Sequence, residues 1–372
     1  MKNAKKKNLL IVTGTRAEYG LFRSTIFALK KSKKLNIKLL VTGMHTLKKF
    51  GYTAKEIQKD MPIDCLVPVA ESDDMLSSLA KEIVGIKRCL KKYPADALVA
   101  IGDRDEPFAA AIVGIHSHIP VIHVSGGDVS GPTVDHYLRN SITVFSKLHL
   151  VQTQKSKKNV ITLGADKKNT HIVGSAGLDG ISPHTLLARE KIAHILGLDT
   201  RKKWYLVVLH PTPFEKTPLR GQIYPVLSAA QKLSKNNQVV VIYPNSDTGF
   251  EIFIEAVESL RGRKNYFILK NLERRHYLSI LYHCHALIGN TSSGLMEAGY
   301  LKKPFVLVGN RQKNRERGAN TVLVPYNTSK ILLALKRVES HSFRKTLQKT
   351  PPVYQGGKVA DRIVKIIEKF TT

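Results

Sequence analysis

Short runs of apolar, largely β-branched residues recur along the chain. The first set is Leu9–Val12, Ile37–Val41, Ala97–Ile101, Pro120–Val124 and Leu148–Gln152. A second set follows: Trp204–Leu209, Gln238–Ile242, Tyr266–Leu269, Ala286–Ile288 and Phe305–Val308. None alternates apolar with polar, which suits strands covered on both faces, as in a parallel sheet. Between them lie stretches of helical period. Ala17–Lys31 sets Tyr19, Phe22, Ile26 and Leu29 on one face, and Met75–Leu90 and Pro225–Leu233 behave alike. Strand and helix alternate twice over, which predicts an α/β chain of two doubly wound, Rossmann-like domains.

The expected divisions are an N-terminal domain at 1–180, a C-terminal domain at 181–355 and a terminal helical segment at 356–372. Gly174-Ser175-Ala176-Gly177 closes the first set of strands, and a helical stretch, Leu186–Leu196, leads into the second. The last amphipathic stretch, Ala360–Phe370, follows Gly356-Gly357 and has the pattern to pack back on the first domain. A length of 372 residues agrees with two domains at about 100–200 residues each.

Composition adds a charge. Lys and Arg number 59 against 29 Asp and Glu, a formal net charge of +30. The basic clusters, among them Lys30–Lys34, Lys87–Lys92 and Lys155–Lys158, are scattered and carry no interleaved aromatics. That is the pattern of a solvated surface, and it argues against a nucleic-acid footprint, which gathers charge in one stripe or arm. No run approaches the length that spans a bilayer. The basic start resembles a signal n-region, but the apolar run after it is too short for a signal core. Cys65, Cys89 and Cys284 are odd in number and widely spaced, which argues against a disulfide framework and for a reducing compartment. A cytoplasmic protein is expected.

Ligands of doubly wound sheets bind beyond the C-terminal ends of the strands, so polar residues just after each apolar run carry the chemistry. Gly14-Thr15-Arg16 opens a helix, whose free N–H groups suit an anion, and Arg16 adds a planar cation. It is not the dinucleotide fingerprint. Gly102-Asp103-Arg104-Asp105-Glu106 places three acids and one arginine at a strand end, where paired carboxylates can divide acid and base roles; a structural Asp–Arg pair reads equally well. His123-Val124-Ser125-Gly126-Gly127-Asp128 follows the next strand, and its glycines permit close approach of backbone to ligand. Asp135 and Arg139 stand one helical turn apart, where an ion pair is the plain reading.

In the second half, His210-Pro211-Thr212 marks a strand exit, as does Tyr243-Pro244-Asn245-Ser246-Asp247. Gly289-Asn290-Thr291-Ser292-Ser293-Gly294 has the small hydroxyls and glycine of a phosphate cradle, with Glu297 about one turn into the helix that follows, able to take a ribose hydroxyl pair. Gly309–Gly318 is a cationic loop suited to a diphosphate. His283-Cys284-His285 has metal-ligand side chains but no partner set nearby, so no metal is expected.

Taken in order, these segments resemble the UDP-N-acetylglucosamine 2-epimerase family, most closely its hydrolysing branch. The matching stretches are GTRAEYG, TGMH with FGYT after it, GDR, HVSGGDVSG, the Asp135–Arg139 pair, HP, YPNSDTG, GNTSSGLMEAG and GNRQKNRERG, spread from about Leu9 to Asn320. The resemblance implies two Rossmann-like domains in the glycosyltransferase-B arrangement with the active site in the cleft. It implies elimination of UDP to a glycal-type intermediate, then addition of water with inversion at carbon 2, releasing a ManNAc-type sugar for sialic-acid-like pathways. It implies a UDP-sugar substrate, a homo-oligomer and no cofactor.

By the same resemblance Asp103 and Asp135 are acid/base residues, with His210 near the leaving diphosphate. Arg16, Ser292, Ser293, Arg311 and Arg315 would meet that diphosphate. Asn245, Asp247, Asn290, Gly294 and Glu297 would line the nucleotide side, with His45, Arg104, Ser125 and Arg139 also contacting substrate. Three positions depart from the family. Ser125 replaces a proposed acid/base Glu and shifts that role to Asp128 or a water. His136 replaces an acid beside Asp135, and Ala319 a frequent Glu. These departures bear on the sugar, where a 2,4-diacetamido sugar on UDP or GDP is an alternative. Two other functions remain open at this point: a glycosyltransferase of the same build and a silent nucleotide-sugar binder.

Overall fold

A computed structural model describes residues 6–129, 134–244 and 248–371. Two units emerge, the first made of Met1–Asp179 and Gln355–Thr372, the second of Gly180–Tyr354. Each is built on one sheet in which every pairing between described strands is parallel.

The first unit carries strands β1 (Lys7–Thr13), β2 (Leu35–Val41), β3 (Cys65–Leu66), β4 (Ala97–Ile101), β5 (Val121–Val124), β6 (Leu148–Val151) and β7 (Thr170–Ile172). Their order in space is β3-β2-β1-β4-β5-β6-β7. Its helices are α1 (Arg16–Lys30), α2 (Ala54–Asp60), α3 (Met75–Lys92), α4 (Asp105–His116), α5 (Val134–Phe145) and α6 (Gln154–Thr162). The central strands are apolar throughout because both faces are covered. Leu9 and Ile11 pack with Phe22, Ile26 and Leu29 on one side, while Leu10 and Val12 pack with Ala109, Ala110 and Ile86 on the other.

The second unit begins with α7 (Arg189–Leu196) and strands β8 (Trp204–Val208), β9 (Gln238–Ile242), β10 (Tyr266–Leu269), β11 (Ala286–Gly289), β12 (Phe305–Val308) and β13 (Thr321–Val324), ordered β10-β9-β8-β11-β12-β13. Helices α8 (Leu219–Leu233), α9 (Phe250–Glu258), α10 (Arg274–His283), α11 (Glu297–Tyr300), α12 (Thr328–Glu339) and α13 (His341–Lys349) belong to it. The chain then returns to the first unit as α14 (Val359–Thr371). Ile363 and Ile367 enter the core there, and the Asp179 carboxylate accepts the Val359 and Ala360 amides at 3.0 and 2.7 Å.

The differences from the sequence reading are local. Strands β3, β7 and β13, absent from the sequence reading, are short, lie at sheet edges and are only partly covered; β13 nonetheless carries Val322, Leu323 and Val324. Helix α8 begins at Leu219 and carries Pro225 inside it, so that proline removes one backbone hydrogen bond instead of marking a start. The stretch expected to be helical from Leu186 starts only at Arg189, since the Leu187 amide donates to the Ser279 hydroxyl at 2.9 Å.

The cysteines depart further. Cys65 on β3 and Cys89 on α3 form a disulfide, with their Cα atoms 6.1 Å apart. The wide spacing in sequence did not exclude it, because β3 runs beside β2 and α3 packs over that edge. The expectation that the cysteines remain reduced is corrected for this pair, and with it goes the support they lent to a reducing compartment. Cys284 is buried and free. No described helix is long and apolar enough to cross a membrane.

Candidate active site

In each unit the chain order reverses beside the first strand, β1 and β4 being neighbours in one sheet and β8 and β11 in the other. The exits of these strands are the crevices where doubly wound sheets take ligands.

In the first unit β4 is followed by Gly102, whose φ of +81° turns the chain into Asp103 and Arg104 at the strand exit. The turn is braced by His123 of β5, which is fully buried. Its Nε2 lies 2.9 Å from the Gly102 carbonyl and its Nδ1 3.1 Å from the Thr143 hydroxyl. A carbonyl only accepts, so Nε2 carries the proton and Nδ1 accepts from Thr143. Burial drives the His123 pKa down to about 4, which keeps the ring in that neutral form.

Arg139 of α5 is 2% exposed, and its Nη2 donates to Asp103, itself 27% exposed. The other nitrogen, Nη1, donates to the Asp128 carbonyl at 3.0 Å. One guanidinium therefore joins the exits of β4 and β5. The ion pair expected between Arg139 and Asp135 is corrected: Arg139 points into the sheet exits, whereas Asp135 is exposed on the first turn of α5 and its charge faces Arg104. Sequence spacing brought the two residues near, but the half-buried carboxylate of Asp103 is a better electrostatic partner than the exposed one of Asp135. Asp128 Oδ1 accepts from Ser156 at 3.3 Å. Ser125 holds a left-handed φ of +67°, and its Oγ accepts from Gln152 at 2.9 Å, which leaves the hydroxyl proton for donation.

Two further candidates are placed differently. Arg16 is exposed at the start of α1 and pairs with Glu56 at 3.1 Å. His45 is fully buried, with Nδ1 2.7 Å from the Thr53 hydroxyl and Nε2 3.4 Å from that of Thr13. Both ring nitrogens are thus engaged within the unit, and burial lowers its pKa to about 4.

In the second unit β11 ends at Gly289, where a Cβ would lie 1.8 Å from the Val208 carbonyl oxygen of β8, so only glycine fits. Asn290, fully buried, then stitches the two exits together. Its Oδ1 accepts the His210 amide and its Nδ2 donates to the His210 carbonyl, both at 2.8 Å. His210 is therefore positioned through its backbone, half-buried at the end of β8.

Ser292–Gly294 forms a single 3-10 turn capped by Thr291, and the α-helix after it is only Glu297–Tyr300. The expected long helix, with Glu297 a turn into it, is corrected: Glu297 opens a short one. Gly294 faces the Phe305 ring, which would meet a Cβ at 2.4 Å. Tyr277 donates to Ser293 Oγ at 2.7 Å, and Ser293 in turn faces Glu297. Glu297 is 8% exposed; burial raises its pKa, while Arg274, at 3.6 Å, opposes that shift. A buried carboxylate flanked by small hydroxyls at a strand exit suits recognition of a neighbouring diol.

Arg311 and Arg315 are half-buried on the loop after β12. That loop is anchored where Glu215 accepts from the Asn310 amide at 2.9 Å and from the Tyr326 hydroxyl at 3.1 Å. Asn245 and Asp247 lie outside the described residues. Of His283-Cys284-His285, His283 Nε2 is turned to the Leu187 carbonyl at 2.9 Å. Sequence reasoning passed over His123, Tyr277, Arg274, Glu215, Glu18 and Glu82. Only Glu18 and His123 carried a signal, lying inside segments already singled out.

Comparisons with known proteins bear on the family and the fold. A sequence profile of the family described as UDP-N-acetylglucosamine 2-epimerase matches residues 27–368. The chain is similar to UDP-N,N'-diacetylbacillosamine 2-epimerase (hydrolyzing) of Legionella pneumophila, 34% identical over 367 residues, 97% of this chain and 96% of that protein. It is also similar to UDP-N-acetylglucosamine 2-epimerase of Neisseria meningitidis serogroup B, 32% identical over 334 residues, 89% of this chain and 87% of the other. The crystal structure of a UDP-GlcNAc 2-epimerase from Neisseria meningitidis bound to UDP-GlcNAc superposes with a TM-score of 0.83 at 17% identity, over 97% of this chain and 100% of that one. At that identity the likeness shows the shared two-domain α/β fold.

Proposed function

The chain belongs to the UDP-N-acetylglucosamine 2-epimerase family, in its hydrolysing branch, and from that premise we propose that it converts a UDP-linked 2-acetamido sugar and water into UDP and the free sugar epimerised at carbon 2. The substrate is UDP-GlcNAc or a UDP-2,4-diacetamido sugar. The product is of the ManNAc type, a precursor for sialic-acid-like sugars.

In this reading a carboxylate of the first unit removes the proton at carbon 2 while the bond from carbon 1 to the UDP oxygen breaks. Water then adds its oxygen to carbon 1, and a proton returns to carbon 2 from the opposite face. Asp103 is the first acid/base residue. Asp135 and Asp128 are the candidates for the second, with the Ser125 hydroxyl and Gln152 ordering a water between them. His210, Ser292, Ser293, Arg311 and Arg315 meet the departing diphosphate, and Glu297 takes the ribose diol.

The observation that supports this most is the Asp103–Arg139 pair. Burial of Arg139 to 2% exposure fixes the orientation of a carboxylate that is still 27% exposed at a strand exit. A purely structural pair has no need to leave its acid open.

The test is incubation with UDP-GlcNAc, and separately with the UDP-diacetamido sugar, in heavy water without any acceptor, followed by proton NMR. Release of UDP and a free 2-epimer carrying deuterium at carbon 2 is the expected result. UDP release that requires an acceptor would make the protein a glycosyltransferase instead, and release without deuterium would rule out elimination.

A further inference from the structure

Beneath the exits of β1, β2 and β4 lies a group of carboxyl side chains that the proposed reaction does not use. Glu106, on the first turn of α4, is 3% exposed, and Glu82 of α3 is 1% exposed. The carboxyl oxygens of Glu18 on α1 are also shut off from solvent and make no hydrogen bond; nor does Glu106 Oε2 or Glu82 Oε2. Glu106 occupies space that two other strand exits leave open for it. A Cβ at Gly14, after β1, would lie 2.1 Å from its Cδ, and a Cβ at Gly43, after β2, 2.2 Å from its Oε1. Two glycines from segments far apart in sequence thus accommodate one carboxyl.

One guanidinium answers these acids. Arg104 Nε stands 3.5 Å from Glu106 Oε2, and its charge also faces Asp135, Asp105 and Glu18. Leaving three buried carboxylates ionised against a single cation is too costly, so the acids without an ion pair keep their protons. Burial accordingly raises Glu18 well above the ordinary range and Glu82 to about 9. Burial raises Glu106 as well, but the Arg104 guanidinium 3.5 Å away opposes that rise, so of the three it is the acid whose charge an ion pair supports.

We propose, on the basis of the functional reading above, that Glu106 is a positioning residue: its buried carboxylate orients the Arg104 guanidinium beside Asp103, so that Arg104 meets the nucleotide sugar already aligned. Arg104 is 46% exposed on its outer side and has the reach to do so. Gly14 and Gly43 serve this arrangement by making room for the carboxyl, which gives two motif glycines a role through a residue neither neighbours in sequence.

A double-mutant cycle on the full chain tests this, with Glu106→Gln, Arg104→Gln and both together, read as kcat/KM for the nucleotide sugar and as UDP affinity by calorimetry. Glu106→Gln keeps the shape and removes the charge; a misplaced guanidinium is expected to lower kcat/KM by about 10²-fold. In the Arg104→Gln background the same change should cost nothing further, since its effect passes through Arg104. Glu82→Gln, equally buried but without that ion pair, should cost the same factor in both backgrounds. Equal losses from Glu106→Gln with and without Arg104, or no loss at all, would overturn the proposal. Should Glu106→Gln not fold, Glu106→Asp, which draws the charge back by one methylene, enters the same cycle. Should the wild type turn over neither sugar, the functional reading fails on its own, and the cycle is decided on UDP affinity by the same criterion.

Discussion

The exits of β1, β4 and β5 in the first unit and of β8 and β11 in the second occupy the same place in two similar sheets, yet they are held together by different means. In the first, side chains with charge do the work: Arg139 joins Asp103 to the Asp128 carbonyl, and Arg104 faces Glu106. In the second, backbone does most of it. Gly289 lets β11 close against the Val208 carbonyl, and Asn290 takes both backbone groups of His210. A site held by buried charge responds to protons and to removal of a partner. A site held by close backbone approach responds to volume. The proposed reaction assigns proton transfer to groups of the first unit and nucleotide contacts to groups of the second.

The largest effect that would sharpen this contrast is Gly289→Ala. A methyl group 1.8 Å from a carbonyl oxygen has no rotamer to escape into. The second sheet should lose more than about 4 kcal/mol, on the scale of the severe core defects, seen as insoluble protein or a missing denaturant transition. Full stability would mean that β8 and β11 separate easily and that shape does not hold this exit.

Next comes Asp103→Asn, which keeps the volume and the Arg139 neighbour but removes the acid/base function. Turnover should fall by about 10²–10⁴-fold while calorimetric UDP affinity stays within a factor of a few. A parallel loss of affinity would place the nucleotide against the first unit's charges. Reduction of Cys65–Cys89, or Cys65→Ser, opens a loop with a sequence separation of 24 and should cost about 3 kcal/mol in a urea midpoint, confined to the first unit. Glu297→Gln should weaken UDP binding by about 1.5–3 kcal/mol with little change in the thermal midpoint, since hydrogen bonds to a charged group are the strong ones.

The smallest effect is a slope. His45, His123 and His149 of the first unit have pKa values lowered by burial to about 4, against His285 alone at that value in the second. Folded they are neutral, whereas unfolded they protonate near 6.5. The unfolded chain therefore binds more protons, and stability is lost as pH falls from about 6.5 to about 4. Glu82 runs the other way: folded, it keeps its proton up to about 9, whereas unfolded it ionises near 4.5, so stability is lost as pH rises through that interval. Above pH 6.5 the histidines no longer contribute. There Glu82→Gln should flatten the pH dependence of the unfolding free energy, read from urea titrations, by about 1.4 kcal/mol per pH unit. Equal acid sensitivity of the two units would remove the electrostatic half of the comparison.

Much of this was legible in the chain itself. Runs such as Ala97–Ile101 and Phe305–Val308 are apolar at every covered position because helices lie on both faces, and their ends coincide with the strands observed. The polar residues that follow them mark the exits for the same reason: a chain leaving a parallel sheet must turn, and glycines such as Gly102 and Gly289 do so at positive φ. What the chain withheld depends on which exits become neighbours. Sheet order brings β1 beside β4 and β8 beside β11, and no spacing in sequence encodes that order. Tertiary structure alone therefore decided that Arg139 serves Asp103 and not Asp135, that Asn290 holds His210 by its backbone, and that Gly14 and Gly43 yield to Glu106. It also decided the edge strands and the Cys65–Cys89 bond. Strands as short as β3 and β7 offer too few residues to show a period, and a disulfide needs only closeness in space. Sequence sets what each segment buries; packing sets which buried groups meet.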